Sequence, residues 1–227
     1  MSLEERILFE DNHLIVITKR AGELVQGDQT GDIPLAESVK AYLKKKYNKP
    51  GAVYLGVVHR LDRPTSGVVL FAKTSKALSR LNEQFKNRIP KKTYWAIVPK
   101  EFADKKGILC HWMTRNTKQN KSKAHINEVP NSKLAKLQYQ RVKDLDHYCL
   151  LEINLETGRH HQIRAQLSSV GFPIQGDLKY GAPRSNKDGS ISLHARCLEV
   201  EHPVTKKALV FTSDPQRVGI WKAVLSD

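Results

Sequence analysis

The sequence predicts an α+β fold built on a mixed, mainly antiparallel sheet flanked by helices. Strand-like stretches outnumber helix-like ones, and they come in adjacent pairs rather than alternating strand, helix, strand. No Gly-x-Gly-x-x-Gly follows a strand and no Gly-Lys-Ser/Thr occurs, so nucleotide-cofactor folds would lack their phosphate cradle. The 227 residues contain no internal repeat, low-complexity tract or long linker, which predicts one domain spanning 1–227.

Each element has a local cause. Residues 7–18, ILFEDNHLIVIT, read as two short strands about an Asp-Asn turn. Residues 35–47, LAESVKAYLKKKY, put apolar side chains at 35, 39 and 43 on one helical face, and Pro50-Gly51 closes that stretch. GVVLFAKT, 67–74, is β-branched and apolar, a buried strand. SKALSRLNEQFKNR, 75–88, reads as a helix N-capped by Ser75, with Leu78, Leu81 and Phe85 facing inward. KKTYWAIVP, 91–99, alternates and reads as a strand stopped by Pro99. KLAKLQYQRVKD and YCLLEINLET are two more, the second with Cys149, Leu151, Ile153 and Leu155 on one face. TGRHHQIRAQLSSVG, 157–171, reads as a turn at Thr157-Gly158 followed by a helix. Ile163, Leu167 and Val170 form its apolar stripe, and Gly171 is its C′ glycine. SLHARCLEVEHPVTKKALVFTSD reads as a strand pair turning at His202-Pro203.

Hydrophobic residues make up 40% of the chain, enough for a core, yet no run of 18 apolar residues predicts a membrane span. The opening MSLEERILFEDNHL lacks the pattern of a secretory signal. Three distant cysteines, Cys110, Cys149 and Cys197, argue against a disulfide framework and for a reducing, cytoplasmic setting. No Cys-x-x-Cys pair suggests structural zinc. Neither a heptad pattern nor an exposed apolar stripe is evident, so a monomer is expected.

Charge is the strongest bulk signal. Lysines and arginines number 38 against 23 acids, a net +15. Residues 86–123 alone hold 11 of these cations against Glu101 and Asp104. Such clustering favours a nucleic-acid partner over a merely solvated lysine face.

Three constellations could carry chemistry. In HRLDRPTSG, residues 59–67, Asp62 lies between Arg60 and Arg63 ahead of a turn and a buried strand. Flanking cations favour a permanently ionised carboxylate, suited to act as a nucleophile, a transient base or an electrostatic anchor. A structural Arg–Asp pair in a turn serves the same charge pattern. In GRHHQIR, Arg164 is placed one helical turn beyond His160 and His161, on a polar face that could meet a carboxylate or phosphate. The adjacent histidines do not converge as metal ligands, so they read as polar surface residues and no metal site is predicted. In KKTYW, basic residues lead into Tyr94 and Trp95, which point to opposite faces of a strand. Trp95 reads as packed, whereas Tyr94 fits either a core or a cleft. A serine nucleophile lacks its motif. A metal-dependent nuclease lacks clustered carboxylates.

Together these motifs resemble the RluA family of pseudouridine synthases. HRLDRPTSG, KKTYWAIV and LETGRHHQIR occur in that family's order and spacing. ILFEDNHLIVITKRAGELVQGD, GFPIQGDLKYG and LHARCLEVEHPVTKKALVF are similar to its flanking motifs, so the likeness covers about residues 7–215. It implies the pseudouridine synthase catalytic fold and isomerisation of uridine in structured RNA, a ribosomal or transfer RNA stem-loop. The base is flipped out and the glycosidic bond rearranged with an aspartate's help, without cofactor or metal. It implies that Asp62 is the essential aspartate, that Tyr94 packs on the target base and serves the C5 proton, and that Arg164 pairs with Asp62, with Arg63 as a second offsetting charge. Ile163 then lines the uracil pocket, Arg60 helps hold the flipped nucleotide, and Lys92, Arg159 and His161 lie among the substrate-binding residues. Two departures stand out. Thr18-Lys19-Arg20-Ala21-Gly22 replaces the usual Asn-Lys-Pro-Ala-Gly, and Pro64 stands where an acid is common. The motifs begin by residue 7, so a short form without the family's N-terminal RNA-binding module is expected. An RNA-binding protein that has lost catalysis is the competing reading, and the retained Asp62, Tyr94 and Arg164 speak against it.

Overall fold

A computed structural model describes residues 2–102 and 104–226. Its strands are β1 (Ile7–Glu10), β2 (Leu14–Lys19), β3 (Gly56–Val57), β4 (Ser66–Ala72), β5 (Lys91–Pro99), β6 (Lys106–Asn116), β7 (Lys121–His125), β8 (Lys133–Asp144), β9 (Tyr148–Leu155), β10 (Leu193–Glu201) and β11 (Ala208–Thr212). Its helices are α1 (Leu35–Lys46), α2 (Ser75–Lys86), α3 (Gln162–Ser169) and α4 (Trp221–Leu225). This is the α+β, mainly antiparallel pattern expected. The chain divides into two compact units, Met1–Lys91 with Ala195–Asp214, and Lys92–His194 with Pro215–Asp227.

In the first unit the strand order is β1-β2-β4-β10, with β11 added to β10 and β3 to β4. The β1–β2 turn forms where expected, because Asp11 Oδ1 accepts from the amides of His13 and Leu14, each at 2.7 Å. Leu14, Val16, Val68, Leu70, Leu81, Leu198 and Phe211 are buried in one cluster, and Leu78 and Phe85 of α2 pack against it. The α2 cap is one residue earlier than predicted. Thr74, in extended conformation, accepts from the Ala77 amide at 3.1 Å through Oγ1, and Ser75 is already helical. Gly67 has φ +123°, and a Cβ there would stand 2.3 Å from the carbonyl oxygen of Ala195 on β10. The glycine of Thr-Ser-Gly is thus required by close backbone approach between strands.

In the second unit the order is β5-β9-β8-β6-β7, antiparallel throughout. Alternation along β5 sends Ala96 and Val98 into a cluster with Leu151, Ile153, Ile163 and Leu167. Ile97 joins Leu150, Trp221 and Val224 of α4. α3 and α4 therefore cover opposite faces of this sheet. α3 ends as predicted: Gly171 has φ +90°, its amide reaches Ser168 O at 3.0 Å, and the Phe172 amide reaches Leu167 O at 3.0 Å. These two hydrogen bonds satisfy two terminal carbonyls.

Two expectations fail here. The helix begins only at Gln162, with His161 as a left-handed N-cap at φ +52°, so His160 and His161 are not a turn of its surface. His161 and Arg164 are both buried, rather than sharing a polar exposed face. The β6–β7 hairpin was not predicted at all.

Candidate active site

In the first unit, HRLDRPTSG forms the loop entering β4. His59 Nε2 accepts the Leu70 amide at 3.1 Å, and its ring stacks on Phe85 with centroids 5.2 Å apart. Leu61 is buried, Asp62 half-buried and Arg60 exposed. His59 and Leu61 thus tie the loop to β4 and the core, and Arg60 makes no hydrogen bond or ion pair among the described residues. Arg63 does not serve Asp62: its guanidinium pairs with Asp32 at 2.6 Å and donates to Gly22 O at 3.1 Å.

One cation acting on Asp62 from within this unit is Lys19, which the sequence reading gave no role. Its ammonium is fully buried and donates to the carbonyls of Arg20, Arg63 and Thr65 at 2.8, 3.1 and 2.7 Å. It binds the strand before the first motif to the backbone just after Asp62. Burial pushes Lys19 down to about 8, opposed by the nearby Glu23 and Asp62 carboxylates. A lysine on an apolar strand was the available signal, since a buried ammonium demands convergent acceptors.

In the second unit, LETGRHHQIR is mostly a folding device. Gln162 Oε1 accepts from Thr157 Oγ1 at 2.8 Å and from the Arg159 amide at 2.9 Å, while Nε2 donates to Lys136 O at 3.2 Å. Arg159 donates through Nε to Leu134 O at 3.0 Å. The turn before α3 is thereby clamped to β8. Lys92 lies over that turn, with Nζ 3.4 Å from where a Gly158 Cβ would stand. His161 bonds through Nδ1 to the Tyr180 hydroxyl at 2.9 Å and stacks on His160 at 3.8 Å between centroids. Burial, with Arg164 as next cause, pushes His161 down to about 2, so it is neutral. It is a buried structural side chain, not a surface one.

Arg164 has a partner that the sequence reading missed. Nε donates to Asp177 Oδ2 at 2.7 Å and Nη2 to Oδ1 at 2.9 Å, with both side chains almost fully buried. The Tyr180 ring lies against the same guanidinium, 5.0 Å from Cζ. Asp177 and Tyr180 come from GFPIQGDLKYG. A buried arginine requires a carboxylate close by, which is the signal that could have found Asp177. Ile163, one residue before Arg164, belongs to the cluster against which Tyr94 packs. The structure thus brings Tyr94, Ile163 and Arg164 onto one side of the second unit's sheet, while Arg60 and Asp62 belong to the first unit. Among the described residues no three His, Cys, Asp or Glu side chains gather to hold a metal ion. Among the described residues no helix is long and apolar enough to cross a membrane.

A family model described as RNA pseudouridylate synthase matches residues 13–169. The chain belongs to the RNA pseudouridylate synthase family. Within it, the chain is 32% identical over 205 residues to the RNA pseudouridine synthase YhcT of Bacillus subtilis, covering 90% of this chain and 66% of that protein. It is 35% identical over 219 residues to ribosomal large subunit pseudouridine synthase D of Nitrosomonas europaea, covering 92% and 61%. It spans less than two thirds of the length of either relative. Human RNA pseudouridylate synthase domain containing 4 superposes with a TM-score of 0.78 at 25% identity, covering 94% of this chain and 90% of that one.

Proposed function

We propose that this chain is the catalytic domain, over 1–227, of an RNA pseudouridine synthase. In this reading it isomerises specific uridines in a structured RNA, a stem-loop of ribosomal or transfer RNA. The observation that carries the reading is the apolar wall to which Tyr94 and Ile163 both belong, with Arg164, next in sequence to Ile163, locked in place by Asp177. A flat, uncharged base attached to a ribose fits such a wall. Relatives named as ribosomal large subunit synthases put ribosomal RNA first.

The proposed chemistry needs each part. A base inside a helix cannot be reached, so the uridine is flipped, at a cost of a few kcal/mol of unstacking. Arg60, exposed beside Asp62, fills the gap or holds a phosphate. Asp62 acts as a carboxylate on the ribosyl-uracil unit, and Arg164, held by Asp177, is its charge partner in the reaction. The C1′–N1 bond breaks, the uracil turns against Tyr94 and Ile163, and C1′ bonds to C5. The C5 proton leaves by way of Tyr94, and N1 gains one. Nothing is added to or lost from the nucleotide, so neither cofactor nor metal is needed. Lys92, Arg159 and His161 support the turn beside this pocket, and the basic surface of 86–123 holds the RNA.

RNA labelled with tritium at uracil C5 tests the reading. The wild type should release label to water, equally with and without a chelator, and Asp62→Asn should release none. Equal release by Asp62→Asn, or strand cleavage that a chelator stops, would contradict it.

A further inference from the structure

A second binding feature lies in the second unit. A groove of about 700 Å³ runs between the β6–β7 hairpin and α3. Thr114, Asn116, Lys121 and Lys123 of the hairpin line it, together with Ser168 and Ser169 of α3 and Tyr180. No carboxylate lines it. The hairpin region is strongly cationic: from 105 to 127 there are six lysines and arginines and no acid. Arg115, Lys118, Lys121 and Lys123 have no ion-pair partner among the described residues.

The groove is firmly built. The Ser122 amide donates to the Tyr180 hydroxyl at 2.8 Å, and Ser122 Oγ meets His160 Nδ1 at 2.9 Å. His160 Nε2 meets Asn120 Oδ1 at 3.0 Å, and Lys179 donates to Asn120 O at 3.2 Å. Both the edge strand β7 and the hairpin turn are therefore fastened to the α3 side. Lys121 Nζ stands 5.2 Å from the centroid of the Tyr180 ring, which also lies against Arg164.

We propose that this groove binds the sugar–phosphate backbone of the RNA flanking the target uridine, with Lys121 and Lys123 on phosphates and Thr114, Asn116 and Ser168 on ribose hydroxyls. Alternating cations and neutral hydroxyl or amide groups match a chain that alternates anionic phosphates and hydroxyl-bearing sugars. A small anion would leave most of the groove empty, and an acidic peptide would leave the hydroxyl wall unused. The proposal rests on the synthase reading only for the identity of the RNA.

The test is binding of a fluorescein-labelled RNA stem-loop across salt concentrations. Lys121→Ala/Lys123→Ala should flatten the plot of log affinity against log salt by about 1.4 to 1.8, as two lost phosphate contacts require. Lys123→Gln alone, which touches no packed ring, should flatten it by about half as much. Lys44→Ala/Lys45→Ala, on exposed α1 in the first unit, removes equal charge and should do less. Equal flattening by the two double variants, or an acidic peptide displacing the RNA from wild type but not from Lys123→Gln, would overturn the proposal. Crosslinks from 4-thiouridine RNA confined to peptides outside 114–124 and 165–180 would also overturn it. Tritium release by the same wild-type sample reports separately on the synthase reading, and the salt slope decides the groove whichever way that falls.

Discussion

Arg164 and Asp177 form a bidentate pair shut away from solvent, and that pair dictates how the centre responds to substitution. Removing one member of such a pair leaves the other charge buried and alone, at about 3 to 5 kcal/mol. Asp177→Asn should therefore lower the urea-unfolding free energy by that amount and reduce turnover, while Asp62→Asn should reduce turnover with much less effect on stability. Equal stability losses in the two variants would contradict the distinct roles assigned to them. His161 supplies a pH dependence. Its folded-state value, about 2, lies below its ordinary value of 6.5, so below about 6.5 the unfolded chain binds a proton that the native state refuses. Stability is complete above that pH and declines as pH falls, by at most about 1.4 kcal/mol per unit from this side chain. His161→Gln should remove that share of the slope in urea titrations, and an unchanged slope would refute the buried neutral histidine. At this scale the sequence points to Asp62, Tyr94 and Arg164 by motif. It hides Asp177 and Lys19, because a buried ion pair or ammonium is defined by its surroundings and not by its neighbours in the chain.

Helices and strands with one clean apolar face were legible: α1, α2, β5, β8 and β9 lie within a few residues of their expected positions. The β6–β7 hairpin was not, because one face of β6 carries exposed Ile108 and Cys110 and half-buried Trp112 and so shows no hydrophobic alternation. The start of α3 was misplaced because Thr157, Arg159 and Gln162 close a side-chain-bonded turn that periodicity does not register. Glycines separate two kinds of element boundary. A Cβ on Gly171 would meet nothing within 4 Å, so Gly171→Ala costs only its left-handed conformation, about 1 kcal/mol. Gly67→Ala adds a backbone collision with Ala195 and should cost more than about 2 kcal/mol. Thermal unfolding of both variants checks the order, and equal losses would mean that β4 and β10 have room to separate there.

For the molecule as a whole, the net +15 predicts RNA affinity that falls steeply with salt, and the hairpin groove is where part of that slope should originate. Charge clustering pointed to a nucleic-acid partner, and the α+β architecture was legible from strand pairing. The division of the described chain into two units was not, because the boundaries at 91 and 194 fall at or near strand residues rather than in a linker of distinct composition. The proposed role of Asp62 in isomerising uridine in RNA can be tested in cells. The most direct test is a transcriptome-wide pseudouridine map in cells lacking the gene, restored with either wild type or Asp62→Ala. One or a few uridines should regain modification only with the wild type, which would also identify the substrate. Modification restored equally by Asp62→Ala, or no site that depends on the gene, would contradict it.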